Sequence, residues 1–196
     1  MFTGIVEATG AVRSVFPGKR GASVTIDAGS LDLSDVKVGD SVAINGCCLT
    51  VVELEPAAFR VDVSQETLDC TTGFEAGARV NLEKALRLSD RLDGHLVSGH
   101  VDGRGEVTRQ DRVGESCLLE IRPDAALLRY IARKGSITVN GVSLTINRVE
   151  GDRFELNLIP YTLAATNLGV LRAGAQVNLE VDLLARYLER LLDRRT

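Results

Sequence analysis

The chain has 196 residues, with 23 Lys and Arg against 27 Asp and Glu, a formal net charge of −4 and 44% hydrophobic residues. That length holds one ordinary domain or two small ones with a sizeable apolar core, and the missing basic excess excludes nucleic acid as an expected partner. The start, MFTGIVEATG, has no basic segment leading into an apolar one, and no apolar run nears the roughly 20 residues that cross a bilayer. A soluble cytoplasmic protein with no membrane contact is expected.

Short alternating runs bounded by Gly or Asn-Gly predict strands near residues 4–15, 22–28, 41–45, 47–54, 58–64 and 79–84. The first opens with GIV at 4–6, where a glycine lets a flat ring approach the backbone. Asn45-Gly46 separates two β-prone runs and suits a two-residue hairpin turn. In the CCLTV that follows, alternation puts Cys48 and Thr50 on one side and Leu49 and Val51 on the other. If the leucine side fills a core, a small thiol and a hydroxyl face outward. They either cradle a polar planar ligand or merely relieve crowding. DVSQET at 62–67 ends a strand and enters a Thr-Leu turn, whose free backbone amides could read the edge of a heterocycle.

The sequence then repeats itself. Residue n matches n+95 in TGIVEATGAV and SGHVDGRGEV, in INGCCLTV and VNGVSLTI, and in FRVDVSQETL and FELNLIPYTL. The offset becomes 97 at GARVNLE and GAQVNLE, so the second copy has gained two residues in a loop after Leu163. Two units, 1–90 and 91–182, follow. Six strands per unit suggest a small closed barrel, since closure removes exposed edges. In the second unit Ser143 and Thr145 oppose Leu144 and Ile146, and NLIPYT at 157–162 repeats the strand exit. PDAALLRYIARKG at 123–135 reads as a helix, with Leu127, Leu128, Ile131 and Ala132 at helical spacing. Lys134 opens the third strand of this unit as a solvated charge, and Asp182 is placed to cap a helix over 183–196. That helix puts Leu184, Tyr187, Leu188 and Leu191 on one face. It docks on its own barrel or, the preferred reading, joins a bundle between subunits.

The copies differ where Ile5 faces His100 and Cys48 faces Ser143 in the alignment. His95 and His100, the two histidines, point to opposite sides of a strand and make no shared metal site. His100 is either structural or a proton carrier near neutral pH. Cys47, Cys48, Cys70 and Cys117 are irregularly spaced, with no CxxC or HxxxH partner, and are read as reduced thiols without metal.

MFTGIVE, NGCCLTV, GHLVSGHVDG, KGSITVNGVSLT, LIPYTL and VNLEVD, in this order and spacing, closely resemble the riboflavin synthase family of the lumazine-dismutating alpha-chain type. The resemblance implies an all-β fold of two tandem six-stranded antiparallel Greek-key barrels related by a pseudo-twofold axis, plus a C-terminal helix through which a homotrimer forms. It implies that two molecules of 6,7-dimethyl-8-ribityllumazine exchange a four-carbon unit, giving riboflavin and 5-amino-6-ribitylaminouracil, with no cofactor or metal. Association with lumazine synthase is also implied.

Carried over residue by residue, the resemblance places Gly4, Ile5, Val6, Cys48, Leu49 and Thr50 in one pocket with Asp62, Val63, Ser64, Gln65, Glu66 and Thr67. The other takes Gly99, His100, Val101, Ser143, Leu144 and Thr145 with Ile159, Pro160, Tyr161, Thr162, Leu163 and Ala164, while Lys134 contributes across a subunit seam. His100, with Ser143 and Thr145, is expected to handle proton transfer. Cys48 is expected as a polar contact near C7 of the other lumazine, and Asp182 as an ordering acid. Ala164 and Ala165 stand where many relatives carry polar residues, which bears on the ribityl contacts. The rival is a non-catalytic lumazine- or flavin-binding protein of the same fold. A reductase-type flavin barrel lacks support, because no Arg-x-Tyr-Ser strand or nucleotide-binding second domain is present.

Overall fold

The structure, a computed structural model, describes residues 1–192. The last four residues of the expected 183–196 helix lie outside the described residues. Twelve strands form two closed antiparallel barrels among the described residues. The first comprises β1 (Ala8–Gly18), β2 (Gly21–Asp27), β3 (Ser41–Ile44), β4 (Cys47–Glu55), β5 (Ala58–Ser64) and β6 (Arg79–Lys84), hydrogen-bonded in the order β1-β2-β5-β4-β3-β6. The second repeats that order with β7 (Gly103–Val113), β8 (Ser116–Pro123), β9 (Ser136–Val139), β10 (Val142–Glu150), β11 (Arg153–Leu158) and β12 (Gln176–Val181). Strand alternation fills each interior. Val24, Ile26, Ile44, Phe59 and Leu82 are fully buried in one core, and Leu119, Ile121, Phe154 and Leu156 in the other.

Both hairpin turns are built as their sequence requires. Asn45 and Gly46 have φ of 48° and 82°, and Asn140 and Gly141 have 47° and 80°, the positive pair that a two-residue turn of this hand needs. The two turns meet at the pseudo-twofold axis. A Cβ added to Gly46 would lie 2.8 Å from the Gly141 nitrogen, and one on Gly141 would lie 2.7 Å from the Gly46 nitrogen. Around this contact five buried asparagines close a network. Asn81 Nδ2 donates to the Asn140 carbonyl at 2.9 Å, and Asn178 Nδ2 donates to the Asn45 carbonyl at 3.0 Å. Asn167 Nδ2 reaches Asn45 Oδ1 at 2.9 Å. The buried amides therefore join the barrels without stranding a polar group, which would cost about 1–3 kcal/mol each.

Several expected elements are redrawn. GIV is not part of β1, which begins at Ala8. Residues 2–6 and 97–101 are irregular segments that cross between barrels, and Phe2 and Val97 pair with each other where they pass. The 123–135 helix shrinks to a 3₁₀ segment, Ala125–Tyr130, without a side-chain cap at Asp124. The chain must then turn at Lys134, with φ 68°, to enter β9, so Lys134 precedes the strand rather than opening it. The Thr-Leu turns are short helices, α1 (Gln65–Cys70) and α2 (Pro160–Ala165), begun by Ser64 accepting from the Thr67 N–H and by Pro160 at the first turn. Thr71 and Thr166 end them equivalently, so the two extra residues fall beyond Thr166, where Asn167–Val170 makes a further 3₁₀ turn.

α3 (Leu183–Leu192) starts where Asp182 Oδ1 accepts the Leu184 N–H at 2.9 Å, the capping role expected of it. Tyr130 and Arg129 meet its Glu189, and Arg186 pairs with Asp102, yet none of its side chains is buried. Leu184, Tyr187, Leu188 and Leu191 stay 57–80% exposed on the chain's own surface. No described helix is long and apolar enough to cross a membrane.

Gly46→Ala is expected to destabilise the chain by at least the roughly 1–3 kcal/mol of a left-handed non-glycine residue, with further loss because the added carbon meets the opposite backbone. Denaturant unfolding of the two proteins checks this; equal midpoints would show that the barrels do not touch there.

Candidate functional site

The outward face of each hairpin carries the expected pair. Leu49 and Val51 enter the first core, whereas Cys48 is half-buried and Thr50 exposed. Ile146 enters the second core, Leu144 packs against it, and Ser143 and Thr145 repeat the outward pattern. The β4–β5 ladder runs only from Val51 and Val61 onward, and the β10–β11 ladder only from Ile146 and Leu156. A slot is thus left at each barrel rim between the hairpin and the start of α1 or α2.

Each slot is walled by the other unit's crossing segment. The Ser143 N–H donates to the Gly4 carbonyl at 2.7 Å, and the Cys48 N–H donates to the Gly99 carbonyl at 2.8 Å. Gly4 and Gly99 have φ of 76° and 78°. A Cβ on Gly4 would sit 2.6 Å from that of Ser143, and one on Gly99 would sit 2.6 Å from that of Cys48. These glycines therefore admit the opposite hairpin, a constraint that the ring-approach reading did not anticipate. Accordingly Val6 packs on the second core and Val101 on the first.

The expected grouping is corrected by this exchange. Gly4 and Val6 lie with Ser143 and the second core, whereas Gly99 and Val101 lie with Cys48 and the first core. A sequence repeat shows which residues are equivalent but not which copy they serve. Of the strand-exit segments, Val63 is buried in the first core; Asp62, Ser64, Gln65 and Glu66 are exposed, as are Ile159, Pro160, Tyr161 and Ala164, while Thr67, Thr162 and Leu163 are half-buried. Lys134 is exposed, its N–H donating to the Ile146 carbonyl at 2.7 Å. A cleft of about 800 Å³ opens beside the first barrel, between Ser41, Glu83 and the 84–93 connection, and takes only Ile5 from the expected set.

Ser143 does not meet His100. Its Oγ lies 2.7 Å from Nδ1 of His95, a residue whose backbone N–H donates to the Thr3 carbonyl at 3.1 Å. His100 is exposed, in the crossing segment whose Gly99 meets Cys48. Burial lowers the His95 pKa from its ordinary value, and the Asp182 charge works against that. That lowering favours the neutral imidazole, whose Nδ1 meets the Ser143 hydroxyl. Only the fold brings it there, since His95 lies outside the strands, where alternation assigns no face.

Two like barrels, each with a small polar pair at its rim and a wall lent by the other half, define a tandem-barrel protein with two matched candidate ligand sites. The Lumazine binding domain model matches twice, over residues 3–85 and 98–182. The riboflavin synthase of Photobacterium phosphoreum is 45% identical over 98% of this chain and 89% of its own length. That of Bacillus subtilis is 40% identical over 99% and 91%, and that of Mycobacterium bovis 44% over 98% of each. Among solved structures, LumP complexed with 6,7-dimethyl-8-(1'-D-ribityl) lumazine superposes with a TM-score of 0.83 at 27% identity, covering 92% of this chain and 99% of LumP. LumP complexed with riboflavin gives 0.85 at 28%, with the same coverage. The chain belongs to the riboflavin synthase family, an enzyme family of the transferase class.

Because the folded His95 resists protonation, the unfolded chain takes up that proton first as pH falls below the ordinary histidine value. Stability from this group is therefore lost on the acid side. Its imidazole should titrate below 6.5 by NMR, and Asp182→Asn should lower the midpoint further by removing the favourable charge. A midpoint at or above 6.5 would contradict the burial argument.

Proposed function

We propose that the chain is a riboflavin synthase that joins two molecules of 6,7-dimethyl-8-ribityllumazine, one supplying the four carbons of its dimethyl edge to the other, to give riboflavin and 5-amino-6-ribitylaminouracil. The observation carrying this reading is the paired site: two slots of one design, both with glycine, a thiol or hydroxyl, and threonine in place, made unequal by Cys48 against Ser143 and by the His95 imidazole bonded to the latter. A reaction between two copies of one molecule needs two like binding sites with different proton chemistry. The ligands of the LumP structures and the names of the relatives agree with a lumazine in each slot.

The methyl group on C7 of a bound lumazine is acidic, since its carbanion delocalises into the electron-poor ring. Neutral His95, relayed through Ser143 Oγ at 2.7 Å, is the base for that proton in the second slot. Thr145 and the amides at the start of α2 face the same opening and suit the ring edge. In the first slot Cys48, Thr50 and the start of α1 hold the second lumazine, with His100 at its margin. Cys48 acts there as a polar contact rather than as a nucleophile. Holding two rings in register contributes most of the acceleration, of the order of 7–11 kcal/mol in well-oriented systems.

In this reading the reacting pair is assembled between chains, the first slot of one facing the second slot of another. The uncovered apolar face of α3 supports a trimer joined through this helix. A second reading, a non-catalytic lumazine- or flavin-binding protein, is favoured by the likeness to LumP.

Incubation with the lumazine alone decides between them. Riboflavin and the pyrimidine appearing in equal amounts supports the synthase, whereas tight binding without turnover supports the second reading. His95→Ala is expected to cut turnover about 10²-fold or more, the usual worth of a positioned base, while lumazine binding persists; unchanged turnover removes His95 from the role. Leu188→Glu places a charge in the α3 face and is expected to give monomers by size-exclusion with loss of turnover, and an active monomer would overturn assembly between chains.

A further inference from the structure

The repeated VNLE motif has work to do beyond the core. Val80 and Leu82 point into the first barrel, while Asn81 and Glu83 are buried on its outside, between the halves. Val177, Leu179, Asn178 and Glu180 repeat this in the second. The asparagines join the barrels; the glutamates do something else. Glu83 Oε1 accepts the Thr3 N–H at 2.6 Å and the Thr3 hydroxyl at 2.8 Å, and Oε2 accepts the Gly4 N–H at 3.0 Å. Glu180 accepts the Ser98 N–H at 2.7 Å, the Ser98 hydroxyl at 2.6 Å and the Gly99 N–H at 3.0 Å. The residues so held are those whose next contact is the opposite hairpin, through the Gly4 and Gly99 carbonyls.

We propose that Glu83 and Glu180 are positioning residues for the ligand sites, each fixing from its own barrel the crossing segment that walls the slot of the other. Three donors converging on two oxygens require a carboxylate. A glutamine keeps one acceptor oxygen and turns an amide N–H toward a donor, and aspartate is too short to span the gap. Burial pushes both carboxyls up from their ordinary range against the pull of these donors. A buried carboxyl so fully enclosed by donors on one short segment fixes the position of that segment. The arrangement crosses over: Glu180 of the second barrel governs the wall at Cys48, and Glu83 of the first governs the wall at Ser143. This rests on the reading of the slots as ligand sites, but its structural core can be tested without turnover.

The test uses Cys48 as a reporter in a full-length Cys70→Ser chain, which removes the exposed thiol and leaves Cys47 and Cys117 buried. Thiol labelling followed by peptide mapping should show Cys48 modified at least several-fold faster in Glu180→Gln, as the wall at Gly99 loosens. Glu83→Gln, although in the same barrel as Cys48, should leave the rate within about twofold. Both variants should raise KM for the lumazine several-fold, with thermal unfolding still cooperative. If Glu180→Gln does not fold, Ser98→Ala, which deletes one of the three donors, carries the same expectation with a smaller rise. Faster labelling in Glu83→Gln, or none in either Glu180→Gln or Ser98→Ala, overturns the crossed assignment. Wild-type protein that binds lumazine without turnover would sink the synthase reading and leave the labelling pattern standing.

Discussion

Two peptide hydrogen bonds, Ser143 to Gly4 and Cys48 to Gly99, carry the architecture on which the sites depend. Each hairpin ends its pairing with the next strand early, so its outer amide would be unsatisfied at the barrel rim. The other half of the chain supplies the missing acceptor. Only glycine can deliver it, because the donor hairpin stands within 2.6 Å of where a side chain would begin. The wall of each slot is therefore a by-product of satisfying one backbone group, and neither barrel alone presents a complete site.

The central asparagine network belongs to the same logic. Buried amides joining two domains are tolerated when every donor and acceptor is met, and they then select one relative placement over others that would leave groups unmatched. Asn81 and Asn178 meet the opposite turn, Asn45 and Asn140 meet the adjacent last strands, and Asn167 bridges three of them. The apolar cores drive each barrel closed, but they say nothing about how the barrels face each other. Directional polar contacts supply that information.

Much of this was readable from residue patterns. The alternation in CCLTV and VSLTI gave the inward leucine and the outward polar pair, and the Asn-Gly turns gave both hairpins. The barrels followed from strand number and from the unfavourable edges an open sheet would leave. Three features were not readable. The 123–135 segment has helical spacing but only room for a short 3₁₀ connection before Lys134 must turn. The exchange of residues 4–6 with 99–101 is a long-range event, and a repeat aligns equivalent positions without saying which partner each meets. His95 sits in the connection between β6 and β7, outside any strand, and only the folded chain brings it to Ser143.

The reciprocal contact of Gly46 and Gly141 on the axis has an evolutionary consequence. Once an ancestral unit had doubled, its halves were no longer free to drift apart, since a bulkier residue at either turn is felt at once by the other. Positions 4 and 143, 99 and 48, and 46 and 141 form couples in which a side chain added at the glycine would have to be met by a shift on the other side. The duplicated gene is thereby bound into a single unit of selection, its halves tied at these three couples.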